Sequence, residues 1–483
     1  MDRRDFLALA GSAVLGGVAA PAWAQTTDLA DLSMAEAIAR VRRRAVSPVD
    51  LVRACVGRIE KHDGALHAFI TVTADTALAD AKAMEAEARR GQFRGPLHGI
   101  PIALKDNIDT AGVRTTGASR LFEQRVPDAD AEVARRLKQA GAILLGKLNL
   151  HEFAYGGSST VTAFGTMQNP WRRGHVTGGS SGGPGVAVAA GLCYASLGTD
   201  TAGSIRMPAS HCGIVGLKPT YGRVSTRGVM TLSWTLDHVG PMCRTVEDTA
   251  LLLKVVAGYD AADPTTANVA VDDYSRALRA PTARLRVGLP QRAFFDNLDL
   301  DVADAVQEAL GVLEELVAST ADVVLPPTGP ANRVWAPEAL AYHSKWIAES
   351  PDKYQPGTRQ ALLNARTADA AQYALAVREV EQARRDIVKT FSTVDVLVTP
   401  TMKTPAPPLE GGPPGGGGNN NAVFDIFGLP TISVPCGFSR LGLPIGLSIS
   451  GAPWAEGTVL ALAHAYEQST EWHTRRPPLN RRG

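Results

Sequence analysis

Gly178-Gly179-Ser180-Ser181-Gly182-Gly183, followed by Gly198-Thr199-Asp200-Thr201-Ala202-Gly203-Ser204-Ile205-Arg206, decides how this chain is read. Two serines, Ser180 and Ser204, stand 24 residues apart in glycine-dense backbone. Glycine at that density weakens helices and strands by roughly 0.5–1 kcal/mol per residue relative to alanine. A chain keeps such a stretch where backbone must pass close to a ligand or a reacting atom. Thr201, Ala202 and Gly203 place three backbone amides immediately before Ser204. Those are the parts of an oxyanion hole beside a nucleophile. A flexible linker is the alternative, but Ile205-Arg206-Met207-Pro208 follow at once and do not have linker composition.

A serine hydroxyl is a weak nucleophile until a neighbouring base takes its proton. Two kinds of base are open. His175 and His211 lie near the serines, with Asp200 or Asp237 available to orient one of them, although no triad order is legible. Lys105 is the other. It ends the strand-like run Ile100-Pro101-Ile102-Ala103-Leu104 and precedes Asp106 and Asn107. A strand that carries a lysine from an apolar layer to a loop edge desolvates the ammonium and lowers its pKa. Only the neutral amine accepts a proton, so burial and base chemistry point the same way. From the residues alone, a structural lysine paired with Asp106 or Asp109 fits equally well. Asp200 and Arg206 flank the turn; a mutual ion pair holding the loop and an ordinary surface pair are both open.

The two glycine-rich segments resemble the signature of the amidase signature family of Ser-cisSer-Lys hydrolases. The likeness continues through Gly213-Ile214-Val215-Gly216-Leu217-Lys218-Pro219-Thr220 and Gly222-Arg223-Val224-Ser225. It resumes upstream at Gly99-Ile100-Pro101-Ile102-Ala103-Leu104-Lys105-Asp106-Asn107 and, more weakly, over Gly428–Gly437, covering most of residues 30–475. The resemblance implies Ser204 as acylating nucleophile, Ser180 as the serine after a cis peptide bond, and Lys105 as the base. The choice of Ser180 over Ser181 rests on the resemblance alone. A hydroxyl both donates and accepts, so Ser180 would relay protons between Lys105 and Ser204. Thr201, Ala202 and Gly203 would form the oxyanion hole. Two positions depart from the family pattern: Ala202 stands where glycine is common, and Pro184 where a small residue is common.

The implied fold is α/β, a single large domain with a central mixed β-sheet flanked by helices on both faces. It would occupy residues 25–483, with a variable substrate-specificity region at about 260–420. The expected function is an exported amidase that hydrolyses a C–N bond of a linear carboxamide, aryl amide, peptide amide or carbamate through an acyl-enzyme on Ser204. The glutaminase-type component of a tRNA-dependent amidotransferase is the alternative on the same core. The export signal opposes it, because charged tRNA is cytoplasmic. A non-catalytic binding protein is opposed by the joint presence of Lys105, Ser180 and Ser204. No cofactor is expected, and His and Cys show no zinc-ligand spacing, so no metal either.

Residues 1–24 read as a Tat-type signal peptide. Arg3-Arg4-Asp5-Phe6-Leu7 opens it, an apolar run continues to about Ala20, and Ala22-Trp23-Ala24 is a small-x-small cleavage site. The apolar part, about 15 residues, is shorter than the ~20 needed to span a bilayer, and twin arginines at this place mark export. The expected destination is periplasmic or secreted, with no membrane association after cleavage. Net charge is +1 and the only dense basic run is Arg40 to Arg44, so no nucleic-acid partner is expected. The expected partner is a small-molecule amide substrate, and the expected state monomer or homodimer. Of five cysteines, Cys193, Cys212 and Cys436 read as small core residues.

Ser33-Met34-Ala35-Glu36 and Ser47-Pro48-Val49-Asp50 have the form of capping boxes, the second with proline at N1, and open two helices ending near Arg44 and Lys61. Further helices are expected over Thr73–Arg90, Ala131–Ala140, Thr245–Gly258, Asp301–Ala318 and Asp369–Thr390, with strands at Ile100–Leu104 and Ala142–Leu145. This alternation is the α/β pattern. Gly411 to Asn421 is too polar for core and reads as a surface linker or a flap over the acyl site. Trp335, Tyr342, His343, Trp346 and Tyr354 carry no assigned role; aromatic residues at helical spacing are usually core.

Overall fold

Strand formation begins where apolar, β-branched runs are bounded by glycine and proline. The computed structural model describes residues 28–290, 293–412 and 419–479. Eleven strands form one sheet: β1 (Phe69–Val72), β2 (Ile100–Lys105), β3 (Ala142–Leu148), β4 (Ala195–Asp200), β5 (Val215–Lys218), β6 (His238–Cys243), β7 (Arg286–Pro290), β8 (Ser319–Val323), β9 (Val396–Pro400), β10 (Thr431–Phe438) and β11 (Pro444–Gly451). Their spatial order is β1-β3-β2-β4-β6-β5-β10-β11-β9-β7-β8. Two parallel groups (β2 with β3 and β4, β7 with β8 and β9) are joined by an antiparallel block running from β4 through β6, β5, β10 and β11 to β9, so the sheet is mixed, and helices flank it.

Central strands β2, β4, β6 and β11 are buried at every position, as a sheet covered by helices requires. The main hydrophobic core runs through them from Leu32 to Tyr466. The expected helices appear as Met34–Arg42, Pro48–Leu66, Ala74–Arg89, Glu132–Gln139, Val246–Val256, Leu300–Leu316 and Ala370–Asp386. Both capping boxes form, Ser33 with Glu36 and Ser47 with Asp50. All five cysteines are free and buried. No helix among the described residues is long and apolar enough to cross a membrane. The signal-peptide expectation over residues 1–24 lies outside the described residues.

Candidate active site

The register of the central strands brings the chemistry together. β2 runs parallel to β4 with Leu104 opposite Leu197, so Lys105 leaves its strand beside the far end of β4. Lys105 is fully buried. Its Nζ lies 2.7 Å from Ser180 Oγ, 2.7 Å from Thr199 Oγ1 and 3.4 Å from the Thr199 carbonyl oxygen. The carboxylates that might have made it a structural lysine are engaged elsewhere. Asp106 pairs with buried Lys147 at 3.4 Å, and Asp109 pairs with Arg125 at 2.6 Å. Burial lowers the Lys105 pKa from 10.5 to about 7, against the opposing charges of Asp200 and Asp237. A neutral amine has two hydrogens and one lone pair. The Thr199 carbonyl only accepts, and Thr199 Oγ1 already receives the Asn107 amide at 3.2 Å. An amine that gives both hydrogens to Thr199 turns its lone pair to Ser180.

Ser204 sits on the turn between β4 and the helix Arg206–Cys212. Asp200, the last residue of β4, organises that turn from a fully buried position. Its Oδ1 accepts the Gly203 N–H at 2.5 Å and its Oδ2 the Ile205 N–H at 3.1 Å. Arg206 donates to the same carboxylate, Nε to Oδ2 at 2.9 Å and Nη2 to Oδ1 at 3.0 Å. The pair is therefore internal, not a surface pair. Burial disfavours the Asp200 anion, but the Arg206 charge and hydrogen bonds outweigh it and hold the carboxyl below its usual range. Arg206 also reaches Asp425 Oδ2 at 2.5 Å and the Asn421 carbonyl at 3.0 Å. One guanidinium thus faces two carboxylates. Burial, together with the Asp200 charge, raises Asp425 well above its ordinary value.

One expected role is corrected here. The Gly203 N–H points at Asp200 and is not available to an oxyanion. The N–H groups of Thr201, Ala202 and Ser204 have no acceptor among the described residues, and they are the donors left for a developing negative charge. Gly203 serves the turn in another way. Its φ of +117° suits glycine, and an added Cβ would stand 2.7 Å from Asn421 Cβ. The Ala202 carbonyl accepts from Asn419 Nδ2 at 2.8 Å.

The Ser180 loop lies against the Ser204 turn. Ser181 N–H donates to the Ser204 carbonyl at 3.2 Å, and Ser181 Oγ donates to the Thr199 carbonyl at 3.1 Å. The Gly179–Ser180 bond is cis. The Ser180 carbonyl accepts the His151 N–H at 3.1 Å. Burial, and then the charge of Lys105, hold the His151 imidazole down at about pKa 4.

Neither histidine weighed as a base is placed for that role. The His175 ring lies 3.4 Å from the Arg173 carbonyl. His211 is wholly buried and held neutral by burial, with a pKa of about 4. Neither ring bonds Ser204, Asp200 or Asp237 among the described residues. Asp237 instead accepts from Thr201 Oγ1. Thr199, Asn107, Asn419, Asn421 and Asp425 were not singled out from the sequence. Thr199 and Asn107 lie inside the quoted motifs and were within reach; Asn421 and Asp425 are more than 200 residues from the turn they hold.

A family model described as Amidase matches residues 50–460. The chain belongs to the amidase signature family. Amidase-signature relatives include the glutamyl-tRNA(Gln) amidotransferase A-type subunit of Moorella thermoacetica, 42% identical over 473 residues, covering 91% of this chain and 96% of that protein. Its counterpart in Geotalea daltonii is 40% identical, with 94% and 100% covered. Among solved structures, the native peptide amidase of Stenotrophomonas maltophilia is 33% identical with a TM-score of 0.82, covering 92% of this chain and 98% of that one. The 6-aminohexanoate cyclic dimer hydrolase is 27% identical with a TM-score of 0.83, covering 93% and 99%. The protein is thus an amidase-family hydrolase acting on C–N bonds.

Within this amidase-signature chain, an aromatic cluster abuts the motif. Phe153, Tyr342, His343, Trp346 and Tyr354 pack with Met230 and Leu232, the Phe153 and His343 rings 4.5 Å apart. Backbone ties the cluster to the residues flanking β2 and β6: Met230 N–H donates to the Asn107 carbonyl at 2.8 Å, and Leu232 N–H to Asp237 at 2.9 Å. Trp335 packs in a different cluster, with Leu236 and Phe424. Residues 413–418 of the glycine-rich segment lie outside the described residues; Asn419 and Asn421 anchor its end to the Ser204 turn and to the Thr401 carbonyl.

Proposed function

We propose that this protein hydrolyses a carboxamide through an acyl-enzyme on Ser204, releasing ammonia or an amine. The observation that carries this reading is the buried Lys105 amine, 2.7 Å from Ser180 Oγ and without a carboxylate partner. Lys105 takes the Ser180 proton while Ser180 takes the Ser204 proton, and Ser204 Oγ attacks the amide carbon. The N–H groups of Thr201, Ala202 and Ser204 receive the oxyanion; one such donor is worth about 3–4 kcal/mol of barrier. As the C–N bond breaks, its electron pair leaves on nitrogen and the relay returns a proton to it. Water then enters, gives its proton to the same relay, and frees the acid and Ser204.

Glutamine is the first amide to test, because the relatives named as glutamyl-tRNA(Gln) amidotransferase components support a glutaminase reading over most of the chain's length. In that reading the ammonia passes to a partner protein. The stand-alone, exported reading rests on Arg3-Arg4, the apolar run and Ala22-Trp23-Ala24, and on the likeness to a peptide amidase. Release of ammonia from glutamine and peptide amides, and of the amine from anilides and urethanes, measured on the chain with and without the other amidotransferase components, separates the two. Glutamine turnover that appears only with partners favours the amidotransferase component. Partner-independent turnover of other amides by protein recovered from the periplasm favours the exported enzyme. No turnover of any amide under either condition removes both.

A further inference from the structure

We propose that Asp237 is a positioning residue for this chemistry: its carboxylate clamps Thr201 of the oxyanion turn to the 230–236 segment and supplies a negative charge that acts on Lys105. The inference rests on the amide-hydrolase reading above.

Register creates the clamp. β4 and β6 are antiparallel with Asp200 opposite His238, so one step beyond the ladder Thr201 faces Asp237. Thr201 Oγ1 donates to Asp237 Oδ1 at 2.5 Å. The other oxygen accepts the N–H groups of Leu232 and Ser233 at 2.9 and 3.0 Å. One carboxylate therefore joins the turn that carries free oxyanion donors to the segment whose Met230 and Leu232 enter the aromatic cluster. A loosened Thr201 peptide would misdirect two donors at once, its own N–H and that of Ala202.

Asp237 holds Thr201, two residues past the Thr199 whose hydroxyl bonds Lys105 Nζ, and from there its charge, with that of Asp200, opposes the effect of burial on the lysine. Asp200 is matched by Arg206. Asp237 has no cation within ion-pair distance among the described residues; its partners are a hydroxyl and two amides. The remaining groups around it do not replace it. Glu338, from the helix Asn332–Glu349, bears on Asp237 as a like charge while bonding Ser233, Thr235 and Tyr373. Tyr221 and Tyr342 feel the Asp237 charge, and burial keeps both phenols above their ordinary range. Arg384 is occupied by the Thr235 and Ile426 carbonyls and the Tyr221 ring. His238, next in sequence, is held neutral by burial. An ionised Asp237 therefore favours the protonated form of Lys105 and raises the pH at which the base appears, against the larger effect of burial.

A fluorophosphonate probe, which phosphonylates an activated serine and expels fluoride without any natural substrate, tests this on the full chain. Its labelling rate is followed from pH 5 to 9 for wild type, Asp237→Asn, Thr201→Val and Thr201→Ser. Removing the charge should displace the acid limb of the Asp237→Asn profile downward by about half a pH unit or more. Burial raises the Asp237 carboxyl to about 6 and the Thr201 hydroxyl helps to hold it down, so Thr201→Val is read at its high-pH plateau, which should fall about tenfold; Thr201→Ser should restore it. An Asp237→Asn profile superimposable on wild type overturns the charge role. A wild-type plateau in Thr201→Val overturns the clamp, whether or not Asp237→Asn folds. A wild type that does not label, or labelling retained in Ser204→Ala, overturns the amide-hydrolase reading instead.

Discussion

Arg206 meets Asp200 edge to edge, with Nε 2.9 Å from Oδ2 and Nη2 3.0 Å from Oδ1, and both side chains are fully buried. The same two oxygens accept the backbone of Gly203 and Ile205. The ion pair is therefore the frame of the turn on which Ser204 is mounted, and the guanidinium passes the load to Asp425 and Asn421. Removing one member of a buried pair leaves the other charged and unsatisfied. Arg206→Ala should lose about 3–5 kcal/mol of stability, read by urea unfolding. A loss below about 1 kcal/mol, the range of exposed pairs, would mean that water or another cation takes over the role.

Ser204→Ala removes the attacking oxygen and little else, since Ser204 Oγ makes no hydrogen bond among the described residues. Turnover should vanish and the melting temperature should stay within about a degree of wild type. Intact-mass spectrometry after mixing with a slow amide should show an acyl adduct on wild type only. An adduct on the variant would move the nucleophile elsewhere.

Lys105, with a pKa lowered by burial to about 7, acts as a base only when neutral. The value of kcat/KM should therefore rise with pH through about 7 and level off above it. The same shift affects stability with a definite sign. Between about 7 and 10.5 the unfolded chain keeps a proton that the folded chain has released, so this residue makes stability increase with pH across that window. Its burial weighs most heavily below 7. A pH-independent rate from 5 to 9 would remove Lys105 as the base.

Thr199→Val deletes the hydroxyl that holds both Lys105 and Asn107 while keeping the side-chain shape. The amine is then free to rotate away from Ser180. Misplacement of a reacting group by about 1 Å costs on the order of 100-fold, and kcat should fall by that order with KM little changed. Thr199→Ser should recover most of it. Equal loss in both variants would point to packing, not orientation.

Gly203→Ala asks whether the turn tolerates a side chain. The added methyl meets Asn421 Cβ at 2.7 Å, at a φ of +117°. Backbone held in such a region costs about 1–3 kcal/mol, so the variant should melt earlier and turn over more slowly. Relief of both defects in Gly203→Ala/Asn421→Gly would assign them to that contact.

Much of this was legible before any coordinates. Capping boxes at Ser33 and Ser47, the buried strand ending at Lys105, and the glycine-rich turns are local patterns with local causes, and each forms where its sequence lies. The internal Asp200–Arg206 pair was half visible: six residues apart the two were natural partners, but only burial decided between frame and surface pair. The role expected of the Gly203 amide failed because a nearer acceptor, Asp200, takes its N–H.

By itself, the order of residues determined the strand-and-helix alternation and the glycine-rich amidase signature, because those depend on spacing and side-chain type; the roles of Lys105, Ser180 and Ser204 came from the family resemblance. Tertiary structure alone decided which groups meet. The pairing of β2 with β4 sets Lys105 against Thr199, that of β4 with β6 sets Thr201 against Asp237, and chain folding brings Asn419, Asn421 and Asp425 under the Ser204 turn. Hydrogen bonds act over about 3 Å of space, and no periodicity along the chain records which distant segments a sheet will bring that close.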